Sequence, residues 1–248
     1  LQLRLRYEIR KRIDRKLPYF ILRVTTGVGY ETIDLKEEPI VFDNKNILKL
    51  PIQKKRSRNK SITFCFLNNK KDLRFPIVWN SKNYSRLWQF NLHYFDYFRD
   101  WLEKAFLENN WCKEAEFIEI LIDDWIDNNK VSHGDAWHSY TISLRIRNWI
   151  YLFRIYPELA TKKRLSSLNN QMLWLKEHPE NYHGGNHYLE NIITLLIVNV
   201  QIKGDQAEKI YRKNISNLYI ELCDQILMDG GHEERSSSYH LLMLDRLT

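Results

Sequence analysis

The stretch ISLRIRNWIYLFRIY (142–156) decides the fold class. Ile142, Ile146, Trp149, Ile150 and Phe153 recur at steps of three and four, which gathers them on one side of a helix, whereas a strand would need strict alternation. The same spacing runs through residues 95–107, 115–126, 165–175, 189–202 and 215–227, so these also read as helices. Upstream of Trp79 the pattern changes. Residues 21–26 and 61–66 are rich in β-branched and aromatic side chains set between Pro, Asn and Lys, the signature of a few short strands. The expectation is an all-α domain over 79–248, preceded by an irregular N-terminal region over 1–78.

Composition agrees with a packed helical body. In 248 residues, 44% are hydrophobic and 13% aromatic, enough to bury a large core and to exclude disorder. Eight Gly and six Pro are too few for a turn-dense β protein. Cys65, Cys112 and Cys223 are odd in number and far apart, which supplies neither a disulfide framework nor a metal knuckle; each is expected to be a small buried apolar residue. The longest apolar stretch, 192–198 with Thr194 inside it, is far shorter than the roughly 20 residues of a membrane span. No signal peptide opens the sequence. It starts without Met and stops inside the helix-like run YHLLMLDRLT (239–248), so it reads as a segment of a longer protein.

Net charge is +7, from 38 basic and 31 acidic residues. Residues 1–75 hold 19 basic and 8 acidic side chains; residues 76–248 hold 19 and 23. The positive excess therefore belongs to the first third, in runs such as RKR (10–12) and KKRSR (54–58). With no nucleic-acid fold signature beside them, these runs read as a solvated basic face, and no nucleic-acid partner is expected.

Four clusters carry the chemistry-bearing residues: Asn91-Leu-His93-Tyr94, Trp137-His138-Ser-Tyr140, Gly185-Asn186-His187 and Ser238-Tyr239-His240. Each is expected to open a helix, and they recur at intervals of roughly 50 residues, the mark of stacked helical hairpins. If such hairpins closed into a ring, the inner helices would direct these N-terminal ends into one cleft. In HGGNHYLEN (183–191) the glycines permit a tight turn, Asn186 is placed as an N-cap, and the helix start suits a carboxylate. Glu190, one turn beyond His187, is the expected partner for its imidazole. In MDGGHEERSSSYH (228–240), Arg235 beside Tyr239 would favour a phenolate, bringing a group of pKa about 10 nearer to service as an acid or base.

The third cluster offers Trp137 and Tyr140 for stacking on sugars and Arg145 or Arg147 for pairing with carboxylates; two residues apart, only one of the two reaches a shared cleft. Trp125 and Trp149 read as core. In LWQFNLHYFDY (87–97), His93 is the candidate contact among residues that otherwise read as packing. His183 and His187 have zincin-like spacing, but the intervening glycines interrupt the helix, so no metal site is expected. No serine-hydrolase or nucleotide motif occurs. Asp135, Asp229, Glu233 and Glu234 remain as carboxylates for glycoside hydrolysis.

Taken in order, LWQFNLHYFDYF (87–98), AWHSYTISLRIRNWI (136–150), GGNHYLEN (184–191) and DGGHEERSSSYH (229–240) resemble the N-terminal region of the bacterial heparinase II/III-like and alginate-lyase-like polysaccharide lyases. The resemblance covers residues 79–248. It implies an incomplete (α/α) toroid of helical hairpins, followed by further helices and a β-sandwich domain that this sequence lacks, and a periplasmic or cell-envelope setting. It implies β-elimination on an acidic, uronic-acid-containing polysaccharide, with no cofactor in this segment. By the same resemblance Asn186 matches the residue that neutralises the substrate carboxylate, His187 the adjacent catalytic histidine and Tyr239 the proton donor to the leaving oxygen. Arg235 and Glu234 match substrate contacts, and His138 with Arg145 lines the cleft. Glu233 stands where relatives often carry an aromatic residue and Ser237 where they carry Pro, and relatives complete the site from beyond Thr248. Two alternatives are a glycoside hydrolase on the same scaffold, using Glu233, Glu234 or Asp135, and a non-catalytic glycan-binding or assembly protein.

Overall fold

A computed structural model describes residues 61–109, 112–131, 134–181, 185–200 and 205–247. The basic runs at 10–12 and 54–58, the strand expected at 21–26, and His183 with Gly184 lie outside them. The described part is all-α apart from one hairpin. It divides into two compact units, one reaching to Gln171 and one starting at Met172, each treated by itself below.

The first unit opens with strands β1 (Ser61–Phe66) and β2 (Asn69–Arg74), paired antiparallel from Ser61↔Arg74 to Phe66↔Asn69. Leu67 and Asn68 both have positive φ (54° and 58°), the backbone of a tight two-residue turn whose twist matches that of the strands. β1 starts and ends where its alternation placed it, with Ile62 and Phe64 facing inward. β2, NKKDLR, has a single inward apolar residue, Leu73, and so gave no pattern to read. Helices α1 (Arg86–Tyr94), α2 (Tyr97–Leu107), α3 (Ile118–Asn128) and α4 (Ser139–Ile155) follow.

Two expectations are corrected here. The Asn91–Tyr94 cluster closes a helix instead of opening one, because Phe95 adopts a left-handed conformation (φ 63°) that stops α1. The ring of Phe95 is wholly buried, edge-on to Trp149 at 5.6 Å and Phe98 at 5.0 Å, so the strained residue anchors the aromatic core. The helix expected over 115–126 is split into a 3₁₀ turn (Lys113–Phe117) and α3. Trp125 and Trp149 fill the core as their spacing indicated.

The division between units falls within α5 (Lys162–Glu177). The second unit contains the end of that helix with α6 (Gly185–Val200), α7 (Asp205–Gln225) and α8 (Ser237–Leu247). Leu189 and Ile193 of α6 pack with Met243 of α8, and Ile197 of α6, Leu218 and Leu222 of α7 and Ile226 just after α7 pack against that cluster. Between α7 and α8 the chain makes a small looped turn. Leu227 N–H donates to Gly231 O and Gly230 N–H to Leu227 O, both at 2.8 Å, with Gly230 at φ 83°, where a side chain would be strained.

No helix among the described residues is long and apolar enough to cross a membrane. All three cysteines are unpaired. Cys112 is buried and donates from Sγ to Trp101 O at 3.1 Å, but Cys65 and Cys223 are exposed, against the expectation. Cys65 falls at an outward position of β1, where alternation places it.

Candidate functional site

α6 begins at Gly185, whose φ of 69° turns the chain into the helix. Asn186 thus sits inside the first helical turn, not at the N-cap assigned from sequence. Asn186 and His187 are both half-buried. His187 Nδ1 lies 3.2 Å from Oε1 of Glu180, a carboxylate whose side chain is only 4% exposed. Glu180 stands on the connector after α5, and its backbone N–H donates to Oδ1 of Asn191 at 2.9 Å. Glu190, expected to orient His187, instead faces α8, where Arg246 Nε lies 3.0 Å from its Oε2.

A second carboxylate approaches the start of α6. Glu221 on α7 accepts a backbone hydrogen bond at Gly185; burial is the main cause that pushes its pKa up, opposed by a hydrogen bond from Gln225. Tyr188 is likewise pushed up by burial and by the charge of Glu221, which keeps its phenol protonated.

Tyr239 lies in the first turn of α8, half-buried, with its ring stacked on His232 at 5.9 Å and 17°. His232 is 2% exposed and accepts the Glu234 N–H at Nδ1 (3.2 Å), so its neutral form carries the proton on Nε2. The partner of Tyr239 in this loop is therefore an imidazole, not the guanidinium of Arg235 that the sequence favoured. Arg235 and Glu234 are exposed, and Arg235 occupies a left-handed conformation at φ 49°. Asp229 Oδ1 is used within the turn, accepting Gly231 N–H at 2.9 Å.

The first unit separates the remaining candidates into core and surface. Arg145 is fully buried: its Nε donates to Gln171 Oε1 at 2.7 Å, Nη1 to His93 O at 3.3 Å, and its guanidinium lies 3.9 Å from the centre of the Trp125 ring. Burial depresses its pKa. His93 is also fully buried, accepts Trp125 Nε1–H at Nδ1 (3.1 Å), and is pushed well below its ordinary pKa by burial and by Arg145. Trp137 is buried with Nε1 donating to Asn129 O at 3.1 Å. These three were expected to touch substrate; all three are buried, and the bonds just given run to Gln171, to Trp125 and to backbone carbonyls of the core, which corrects that expectation. His138 and Tyr140 are half-buried and extend an aromatic surface with Phe90 (5.5 Å from His138) and Tyr94 (6.0 Å from Tyr140). Asp135 is held by Arg86 at 2.9 Å.

Among the described residues no group of three or more His, Cys, Asp or Glu could hold a metal ion. The candidates within the second unit come together as Asn186 and His187 at the start of α6 and Tyr239 at the start of α8, on two helices packed through Leu189, Ile193 and Met243. Sequence reasoning gave no role to Glu180, Asn191, Tyr188, His232 or Glu221. The one local signal for Glu180 was a charged residue directly after Pro179 and just ahead of the Gly-Gly turn.

The family model described as "Heparinase II/III N-terminus" matches residues 30–248. Two solved structures are similar, heparan sulfate lyase HepC from Pedobacter heparinus and a mutant of the same protein. Each has a TM-score of 0.54 and 18% sequence identity, covering 72% of this chain and 30% of the solved one. At that identity the likeness is one of fold, and this chain spans only 30% of the length of those it matches. No curated protein matches the chain significantly.

Proposed function

We propose, from the premise that this chain belongs to the heparinase II/III N-terminus family, that it is the N-terminal part of a polysaccharide lyase that cleaves an acidic, uronic-acid-containing glycan by β-elimination. In this reading residues 79–248 form an incomplete (α/α) toroid after the N-terminal region 1–78, and further helices and a β-sandwich domain complete the enzyme. The observation that carries the site is the start of α6, where Asn186 precedes a half-exposed imidazole held by the buried carboxylate of Glu180.

A C5 proton beside a carboxylate is weakly acidic, so the negative charge must be neutralised before that proton can leave. Asn186, in the first turn of α6, donates to the substrate carboxylate at a helix start whose partial positive charge favours an anion. His187 takes the C5 proton at Nε2. The electron pair left at C5 forms the C4–C5 double bond, the C4–O4 bond breaks, and Tyr239 gives its phenolic proton to the departing oxygen. Proton return from His187 to Tyr239 through solvent restores the site. The exposed Arg235 and Glu234 serve as contacts for neighbouring sugars.

A hydrolase would need two free carboxylates. Asp135 is tied to Arg86 and Asp229 to the Gly231 N–H, which leaves that reading with only the exposed Glu233 and Glu234. The test is near-ultraviolet absorbance of the full-length protein mixed with heparan sulfate, hyaluronan, chondroitin sulfate or alginate. A rise with one of them is expected, since elimination creates a conjugated double bond. New reducing ends without a rise would replace the lyase by a hydrolase, and binding without either product would make the protein a glycan-binding one.

A further inference from the structure

We propose that Glu180 is the positioning residue of this site: it fixes the His187 imidazole in one orientation and in the tautomer that carries hydrogen on Nδ1. The inference rests on the reading of His187 as the group that takes the C5 proton.

Three observations carry it. First, the Glu180 carboxylate is removed from water, with its side chain 4% exposed, while the His187 side chain is 43% exposed. The pair therefore has one end sealed and the other end open, the arrangement of an orienting carboxylate behind a working imidazole. Second, α6 grips the Glu180 connector twice from one helical face. Asn191, itself wholly buried, accepts the Glu180 N–H at 2.9 Å, and His187, one turn earlier, meets the Glu180 side chain at 3.2 Å. The backbone bond fixes where the carboxylate starts, so its reach to Nδ1 is set by the fold rather than by a freely rotating side chain. Third, the neighbour that sequence spacing would have chosen, Glu190, lies with its Oε2 3.0 Å from Arg246 Nε, while the carboxylate at hydrogen-bond distance from His187 Nδ1 is that of Glu180.

The proton between the two belongs on nitrogen. A carboxylate can only accept, so at 3.2 Å the imidazole nitrogen facing Glu180 is the donor, Nδ1–H. That places the imidazole lone pair at Nε2, the nitrogen required to receive a proton from carbon. After the transfer, the imidazolium faces a fixed negative charge at hydrogen-bond distance, which stabilises it as it forms. A histidine without this partner in water favours the opposite tautomer, with hydrogen on Nε2, and could not accept the proton there.

The experiment is nitrogen-15 NMR of the full-length protein labelled at histidine, with the His187 signals identified by their loss in His187→Asn. The expected wild-type result near neutral pH is a protonated Nδ1 and an unprotonated Nε2. In Glu180→Gln the population should move toward Nε2–H, with turnover on the polysaccharide found above lowered about 10- to 100-fold and KM changed far less; Glu180→Asp should recover part of both. A wild-type His187 that carries its hydrogen on Nε2, or a folded Glu180→Gln protein with unchanged tautomer and turnover, would overturn the proposal. If Glu180→Gln fails to fold, the wild-type spectrum still decides. A wild type with the expected tautomer and no elimination product on any uronate polymer would instead refute the lyase reading and leave the role of Glu180 intact.

Discussion

His93 and His187 both lie in aromatic clusters that look alike in sequence, yet the two regions place them in opposite electrostatic settings. His93, near the end of α1, is sealed in the core with a cation beside it, so burial and Arg145 together hold it neutral. His187, at the start of α6, keeps 43% of its side chain exposed and has an anion behind it. The difference teaches that a histidine at a helix end is a chemical candidate only when its neighbours favour a proton arriving. A buried guanidinium at His93 makes protonation costly, whereas His187 Nδ1 faces a buried carboxylate at hydrogen-bond distance.

The largest expected effect sharpens the second region. Tyr239→Phe keeps the ring on His232 and removes only the hydroxyl, so turnover should fall about 10²- to 10⁴-fold with little change in substrate binding or melting temperature; steady-state kinetics and calorimetry check both halves. The first region should answer in stability. Arg145→Ala removes hydrogen bonds to Gln171 and to His93 O and the contact with Trp125, and should cost about 3 kcal/mol in denaturant unfolding. A loss below about 0.5 kcal/mol would show that Arg145 is not the cation on which that core is built.

A smaller effect follows from titration. The folded pKa of His93 lies well below its ordinary 6.5, so the unfolded chain binds a proton that the native chain refuses. Stability from this group is present above pH 6.5 and is lost as pH falls from there toward the depressed value. Melting temperature measured against pH should therefore decline less steeply below pH 6.5 in His93→Gln than in wild type. The smallest effect concerns Glu221, whose raised pKa has the opposite sign. The native chain holds that proton more tightly than the unfolded one, so stability falls as pH rises past its ordinary 4.5. Glu221→Gln should lose this slope, and an unchanged pH profile would contradict the half-buried placement of that carboxylate.

Much of this was legible because helices bury a periodic face. Helix α4 matches the spacing in 142–156, and the β1 limits follow from alternation in SITFCF. β2 was invisible because NKKDLR carries its pairing in the backbone, with Leu73 as its only inward apolar side chain. At the site, Asn186, His187 and Tyr239 were legible because glycine turns and polar residues ahead of apolar runs mark helix starts. Glu180 was not. It meets His187 across a turn, and local spacing pointed to Glu190, whose carboxylate is engaged by Arg246 on a helix more than fifty residues away in sequence. Arg145 misled for a related reason. Arginine on an aromatic helix reads as a ligand contact, but a guanidinium stacked on Trp125 and bonded to Gln171 is a packing element.

In the proposed lyase, a neutralised uronate carboxylate drives elimination at the start of α6. The most direct measurement compares the full-length protein acting on its preferred uronate polymer and on the same polymer with each carboxylate reduced to a hydroxymethyl group. The account predicts ultraviolet-absorbing product from the first and no cleavage of the second, because the C5 proton of the reduced sugar is no longer acidified. Cleavage of both polymers at similar rates would contradict it.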